Sequence, residues 1–72
     1  MDAGFEIQPG WTVWDRDGKE LGTVISLEPK TIVVKENGIL GGQISVPRTA
    51  VEEVETSRVE LSMTRSELKA LS

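Results

Sequence analysis

Apolar and polar residues alternate along most of this chain with the period of β-strands, and turn residues interrupt the alternation at short intervals. The strongest strand signal lies at residues 31–35, where four successive β-branched residues favour a pleated surface. Residues 58–63 alternate cleanly and predict a strand with Val59, Leu61 and Met63 pointing inward. The pattern predicts an all-β domain with residues 31–35 near the centre of its sheet.

A β-hairpin over residues 11–27 is the element against which the later segments pack. Its turn is Asp15-Arg16-Asp17-Gly18, in which the first aspartate bonds nearby backbone and glycine tolerates positive φ. In the return strand, Gly22 predicts a bulge or a bend, because the apolar phase shifts between Leu21 and Val24. A bend at this point allows a small sheet to curl into a barrel.

Further turn signals divide the second half of the chain. Asn37-Gly38 predicts a type I′ turn, with positive φ at both residues, that leads into a strand through Ile44 and Val46. Residues 47–50 predict one short helical turn, and residues 51–55 predict a further strand. Each strand in this half is therefore bounded by a turn.

The two ends of the chain differ from its middle. Residues 5–8 alternate briefly and are either a first strand or a segment whose apolar side chains cover the barrel mouth. Residues 64–67 form a capping-box pattern that begins a short helix. Leu68 and Leu71 lie three positions apart on one face of that helix, which suits its docking against the barrel.

Length and composition limit the possibilities. The 72 residues make one domain, with a barrel at about residues 8–63 and a helix at about residues 64–71. The chain has no cysteine, so its stability depends on apolar burial and strand pairing. No apolar run has the length of a membrane span and no signal-peptide pattern is present, so we expect a cytoplasmic protein without membrane contact. Twelve acidic residues outnumber eight scattered basic ones, which disfavours direct binding of nucleic acid.

Four groups of residues carry a resemblance to a known family, and the most specific is Asp-Gly-x-x-Leu-Gly-x-Val at positions 17–24. The others are Gly10-Trp11-Thr12-Val13, Ile44-Ser45-Val46-Pro47, and Val51-Glu52-Glu53-Val54 with residues 59–61. Over about residues 8–63 the chain resembles the PRC-barrel superfamily and, within it, small free-standing bacterial domains.

The resemblance implies a six-stranded, SH3-like β-barrel. In the photosynthetic reaction-centre H subunit and in the ribosome maturation factor, such a barrel is an assembly module. The matching positions in this chain are glycines, turn residues and core aliphatics. The resemblance therefore implies an architecture and no active site.

Catalytic chemistry has few candidate residues. The chain has no His, Cys or Tyr, which removes the commonest general base, the thiolate nucleophile and the phenolic acid. Glu52, Glu53 and Glu55 are expected to act only as surface charge on an exposed connection. A domain of this size has no room for a ligand pocket beside its core, so we expect neither an enzyme nor a bound cofactor.

The spacing of Asp15, Asp17 and Gly18 resembles the opening of a calcium loop. Such a loop requires a bidentate acid at its twelfth position, which here is Ser26, together with further oxygen ligands at fixed offsets. A hairpin turn explains the three residues, and no metal is predicted.

The candidate interaction residues are Trp11, Trp14, Arg48, Leu68 and Leu71. The two tryptophans are three positions apart on one strand, which places them on opposite faces unless a bulge intervenes. One can then lie in the core, which leaves the other exposed. Tryptophan is enriched at interface hot spots, and Arg48 follows the fourth strand, where it would rim such a patch.

We expect a noncatalytic protein-interaction or self-association module. Incomplete strand pairing and excess apolar surface favour a homodimer, unless the C-terminal helix covers that surface in a monomer. One alternative is a ribosome- or RNA-associated module that docks on a basic protein, for which net negative charge is no obstacle. The other is a small-ligand or metal-binding barrel, which requires a cavity that the core is expected to fill.

Overall fold

The computed structural model describes residues 7–38 and 41–71, and it contains strands, one short 3-10 turn and a helix within them. The strands are, in chain order, β1 (Thr12–Trp14), β2 (Glu20–Leu27), β3 (Thr31–Glu36), β4 (Gln43–Pro47), β5 (Val51–Glu55) and β6 (Arg58–Leu61). The 3-10 turn, Arg48–Ala50, separates β4 from β5, and helix α1, Arg65–Ala70, follows β6. Of the predicted N-terminal segment, Phe5 lies outside the described residues, and Ile7 is buried without belonging to a strand.

The strands form one six-stranded sheet in the order β4-β3-β2-β1-β6-β5. Neighbouring strands are antiparallel except β1 and β6, which are parallel. The sheet curls into a half-barrel whose two edges, β4 and β5, are joined by the 3-10 turn. The prediction of a mostly β fold with six strands and a short C-terminal helix is confirmed.

The hairpin turn between β1 and β2 is built as predicted. Gly18 has a φ of +80° and its N–H donates to the Asp15 carbonyl oxygen at 3.0 Å. The Asp15 side chain closes the turn, because its Oδ1 accepts from the backbone N–H groups of Asp17 at 2.9 Å and Lys19 at 3.0 Å. The aspartate therefore satisfies the turn backbone with its own carboxylate.

The predicted irregularity in β2 is a β-bulge. Val13 pairs with Gly22, but the next residue of β1, Trp14, pairs with Glu20, so that Leu21 is the extra residue. Leu21 and Gly22 are consecutive and both buried, which strict alternation would not allow. The phase shift in the sequence is confirmed as the mark of this bulge.

The connection between β3 and β4 differs from the predicted type I′ turn. Gly38 has a φ of +115°, but Asn37 does not have positive φ, and β4 begins only at Gln43. The strand pairing ends where the Glu36 N–H donates to the Gly42 carbonyl oxygen at 2.8 Å. The prediction of a two-residue turn is wrong, because this bond closes a longer loop. β3, predicted to be central, is not an edge strand, but it lies directly beside the edge strand β4 rather than at the centre of the sheet.

The core lies on the concave side of the curled sheet, and helix α1 completes it. Buried apolar residues come from every strand except β5: Ile7, Val13, Leu21, Val24, Ile32, Val34, Val46, Ala50, Val59, Leu61 and Leu68. Of the residues predicted to point inward from 58–63, Val59 and Leu61 are buried, whereas Met63 lies beyond the end of β6 and is half-buried.

Helix α1 begins with the predicted capping box. The Glu67 N–H donates to Thr64 Oγ1 at 3.2 Å, and the Thr64 N–H donates to Glu67 Oε1 at 2.8 Å. Leu68 is 2% exposed and joins the core, so the predicted docking is confirmed for this residue. Leu71 is 59% exposed, so the expectation that both leucines face the barrel is wrong. The helix ends at Ala70, and Leu71 follows it.

Candidate functional site

The five residues predicted from the sequence do not form one site. Trp11 packs against the core, Trp14 lies on the convex face of the sheet, and both are half-buried. Arg48 Nε donates to the Glu28 carbonyl oxygen at 2.9 Å and so anchors the 3-10 turn to the turn before β3. The tryptophans occupy opposite faces as expected, but the expected division into one core and one exposed residue is wrong, because Trp14 is partly covered.

The convex face around Trp14 carries a row of carboxylates. Trp14 is in register with Glu20 of β2 on one side and with Glu60 of β6 on the other, and Glu60 is in register with Glu53 of β5. Residues directly paired across strands point to the same face of a sheet. Glu20, Trp14, Glu60 and Glu53 therefore form one row across four strands.

Arg58 lies in the adjacent row and covers part of the indole. Its guanidinium carbon is 4.6 Å from the centroid of the Trp14 ring, within cation–π range. The Nε of Arg58 donates to Glu60 Oε2 at 2.7 Å, and Arg58 is in register with Glu55 of β5. This group, which we call the Trp14 face, consists of Trp14, Arg58, Glu20, Glu53, Glu55 and Glu60.

The charge of the Trp14 face is unbalanced. Glu20, Glu53 and Glu55 are exposed, and the ion pairs between described residues include none of them. Glu53 stands directly opposite Glu60, and like charges in that position destabilise a sheet. The arrangement costs some folding stability and leaves an excess of negative charge around a partly exposed tryptophan.

A second feature is a polar cleft of about 300 Å³ at the end of the barrel. It lies between the β1–β2 turn, Asn37 and the start of α1, and its lining includes Asp17, Lys19, Glu20 and Arg65. The expectation that no cavity of this size fits is wrong, because the cleft is open to the surface and does not compete with the core for volume. Among residues 7–38 and 41–71, no group of three or more carboxylates, histidines or cysteines is arranged to hold a metal ion.

Two buried carboxylates lie at or near this cleft: Asp15, which lines it and closes the β1–β2 turn, and Glu36. Glu36 accepts from Arg65 Nε at 2.6 Å and lies 3.5 Å from Lys69 Nζ. Burial raises the pKa of the Glu36 carboxyl, but the hydrogen bond and charge of Arg65, with those of Lys69, outweigh it, so the pKa is lowered from its ordinary value of 4.5. The pair fixes α1 to the barrel, and among the described residues no buried side-chain nitrogen or oxygen atom lacks a hydrogen-bond partner.

Comparisons with known proteins add no family to this description. Neither models of protein families nor curated proteins match the chain. Within the described part of the chain, no helix has the length and apolar character of a membrane span. The choice among candidate sites therefore depends on geometry, and it favours the Trp14 face, where an aromatic side chain and unpaired charge occur together. Arg58 is not among the residues predicted from the sequence, because only the pairing of β1 with β6 brings it to Trp14.

Proposed function

We propose that this chain is a noncatalytic protein-interaction module of the PRC-barrel type and that its Trp14 face binds a basic segment of a partner protein. The row of Glu20, Trp14, Glu60 and Glu53 is the observation that carries the proposal. Tryptophan is the residue most enriched at interface hot spots, and carboxylates complement lysine and arginine. No residue of this face needs to act as an acid, base or nucleophile.

The PRC type, with its SH3-like barrel, is supported by the sequence motif at positions 17–24. In the structure these positions hold the β1–β2 turn and the bulged part of β2, where a curled sheet has the greatest need for glycine. The six strands, the curl of the sheet and the 3-10 turn before β5 are compatible with that type. As in the relatives that the resemblance names, assembly is the proposed role.

A basic partner would relieve an unfavourable arrangement within the protein itself. A lysine or arginine placed between Glu53 and Glu60 would turn a repulsive cross-strand pair into two attractive contacts. A second guanidinium could compete with Arg58 for the indole, since Trp14 and Arg58 are both only half-buried. Binding would therefore be charge-assisted and sensitive to salt.

The second candidate function is docking on a basic ribosomal protein, and the same excess of carboxylates favours it. Direct contact with RNA is disfavoured, because the carboxylates of the Trp14 face would repel phosphates. An anisotropy titration with labelled RNA near physiological salt is expected to show no binding in the micromolar range. Micromolar binding with a steep salt dependence would favour an RNA-binding function over the proposed one.

The test compares the proteins that a tagged full-length chain recovers from its native cells with those recovered by two variants. Trp14→Ala removes the aromatic centre of the face, and Thr56→Ala changes an exposed turn residue outside it. We expect the wild type and Thr56→Ala to recover a partner with a lysine- or arginine-rich segment, and Trp14→Ala to lose it. With this partner purified, Glu53→Gln should bind it more weakly than the wild type does. Equal recovery by the wild type and Trp14→Ala would overturn the proposal.

A further inference from the structure

The two edges of the sheet differ in their protection against pairing with another strand. The β5 edge carries exposed Glu52, Glu53 and Glu55, and its register shifts between Val51 and Glu53. Charged side chains and bulges are the usual means by which natural sheets prevent pairing at an edge. The β5 edge is therefore protected twice.

The β4 edge has neither form of protection. Its residues are Gln43, Ile44, Ser45, Val46 and Pro47, none of which is charged. Its register with β3 runs without a shift along the whole strand. Within the strand itself, the features that limit pairing are its short length and the proline at its end, which has no N–H to donate.

The hydrogen-bond alternation shows which backbone groups of β4 point away from the sheet. The Glu36 N–H donates to Gly42 O at 2.8 Å, and the Arg48 N–H donates to Lys30 O at 3.0 Å. In an antiparallel ladder every second residue forms hydrogen bonds with the neighbouring strand. Between these two bonds, the backbone N–H and C=O groups of Ile44 and Val46 therefore point toward β3. The backbone groups of Gln43, Ser45 and Pro47 consequently point outward.

The side chains beside this edge are also incompletely covered. Ile44 packs against the core and is only half-buried, whereas Val46 of the same strand is fully buried. Helix α1 contacts β4, but it directs Leu68 into the core, and no backbone hydrogen bond between described residues joins the helix to this edge. A further strand beyond β4 would cover the rest of Ile44.

We propose that β4 pairs with β4 of a second copy of this chain, antiparallel and related by a two-fold axis at Ser45. In this register Ser45 exchanges both backbone hydrogen bonds with Ser45 of the other copy, and the Gln43 N–H donates to the Pro47 carbonyl oxygen. Because proline has no N–H, the Gln43 carbonyl oxygen at each end of the pairing accepts no hydrogen bond from the other copy. Such an interface is self-complementary, as a two-fold dimer requires.

The distribution of charge favours pairing of two copies through their β4 edges rather than through their β5 edges. Two β4 strands bring no like charges together, whereas two β5 strands would place their glutamates side by side. The Trp14 face is built on β1, β2, β5 and β6 and remains open in this dimer. The inference is therefore independent of the proposed binding of a basic partner.

Sedimentation of the full chain, from micromolar to millimolar concentration, tests the dimer. Ser45→Lys would place two lysines opposite each other across the axis, and Thr56→Lys makes the same charge change in the exposed turn after β5. We expect a dimer for the wild type and Thr56→Lys, and a dissociation constant raised at least about tenfold by Ser45→Lys. A wild type that stays monomeric, or a folded Ser45→Lys that dimerises equally well, overturns the proposal.

A spin label gives a second readout that does not depend on the lysine variant folding. Because the chain has no cysteine, Ser45→Cys provides one attachment site on an exposed side chain. The proposed register predicts dipolar broadening that disappears when unlabelled protein is added, and no broadening for Thr56→Cys. Absence of broadening at position 45 overturns this register. Trp14→Ala should remain dimeric, so failure of the dimer and failure of the partner-binding proposal are distinguishable.

Discussion

Glu36 and Arg65 connect the sheet to the C-terminal helix through a hydrogen bond of 2.6 Å between Arg65 Nε and Glu36 Oε2. The Glu36 side chain is 6% exposed, whereas that of Arg65 is 54% exposed. The helix thus brings a solvated cation to a carboxylate that the fold has largely removed from water. Helix α1 has six residues, too few to be stable alone, so it depends on tertiary contacts, among them this pair, the contact of Lys69 with Glu36 at 3.5 Å and the burial of Leu68.

The first prediction concerns the pH dependence of stability. Because the pKa of Glu36 is lower in the folded protein than its ordinary value of 4.5, the contribution of Glu36 to stability is present above that value. It is lost as the pH falls through the folded pKa. We expect Glu36→Gln to be less stable than the wild type at neutral pH by about 1 kcal/mol. This figure is low because Arg65 is exposed, so water screens its charge. Urea unfolding at a series of pH values should show this difference shrinking in acid.

Glu52→Gln is the matched control, because it makes the same change at an exposed carboxylate that belongs to none of the ion pairs between described residues. At neutral pH its stability should be closer to that of the wild type than the stability of Glu36→Gln is. If the difference between Glu36→Gln and the wild type stayed constant down to acid pH, Glu36 would not titrate with a lowered pKa, and the ion pair would not stabilise the helix.

Features encoded by neighbouring residues could be predicted from the sequence, and features that depend on distant pairing could not. The capping box needs only Thr64 and Glu67, and the bulge at Gly22 leaves a phase shift within a few positions. The contact between Arg58 and Trp14 depends on the parallel pairing of β1 with β6, for which no local pattern exists. The Glu36–Arg65 pair depends in the same way on where α1 docks.

The Asn37-Gly38 turn shows how a strong local signal can be overridden. The dipeptide favours a two-residue hairpin, but the pairing between β3 and β4 ends at Gly42 instead. Gly41 lies so close to the Glu36 carbonyl oxygen that a Cβ there would overlap it. The packing of this loop against β3, rather than the propensity of Asn37, determines its length.

The second prediction concerns Gly22. A Cβ at this position would overlap the backbone carbonyl oxygen of Lys35 on β3, and backbone within a sheet cannot move aside easily. Gly22→Ala should lower the free energy of unfolding by about 3 kcal/mol. Gly42→Ala is the control, because nothing lies within 4 Å of a Cβ built there, and we expect a change of about 0.5 kcal/mol or less. Equal effects in urea titrations would contradict the close approach of β2 and β3.

The third prediction concerns the β1–β2 turn. Gly18 has a φ of +80° with open space around its Cβ position, so the cost of a side chain there is backbone strain alone. Gly18→Val should lower stability by more than about 1 kcal/mol, because a β-branched residue resists positive φ. Since Asp15 uses its carboxylate to close the turn, millimolar calcium should leave the melting temperature of the wild type unchanged. A marked rise would identify the turn as a calcium ligand.

The last prediction separates the two leucines of the C-terminal segment. Leu68 is 2% exposed and completes the core, whereas Leu71 is 59% exposed beyond the end of α1. Leu68→Ala removes buried apolar surface and leaves a cavity, so we expect the free energy of unfolding to fall by about 3 kcal/mol. Detachment of the helix from the barrel limits this fall, because the helix can unfold locally. Leu71→Ala should change stability by about 0.5 kcal/mol or less. Hydrogen exchange should also show the amides of α1 losing protection in Leu68→Ala while those of β2 and β3 keep theirs. If both variants were equally stable, Leu68 would not hold the helix on the barrel.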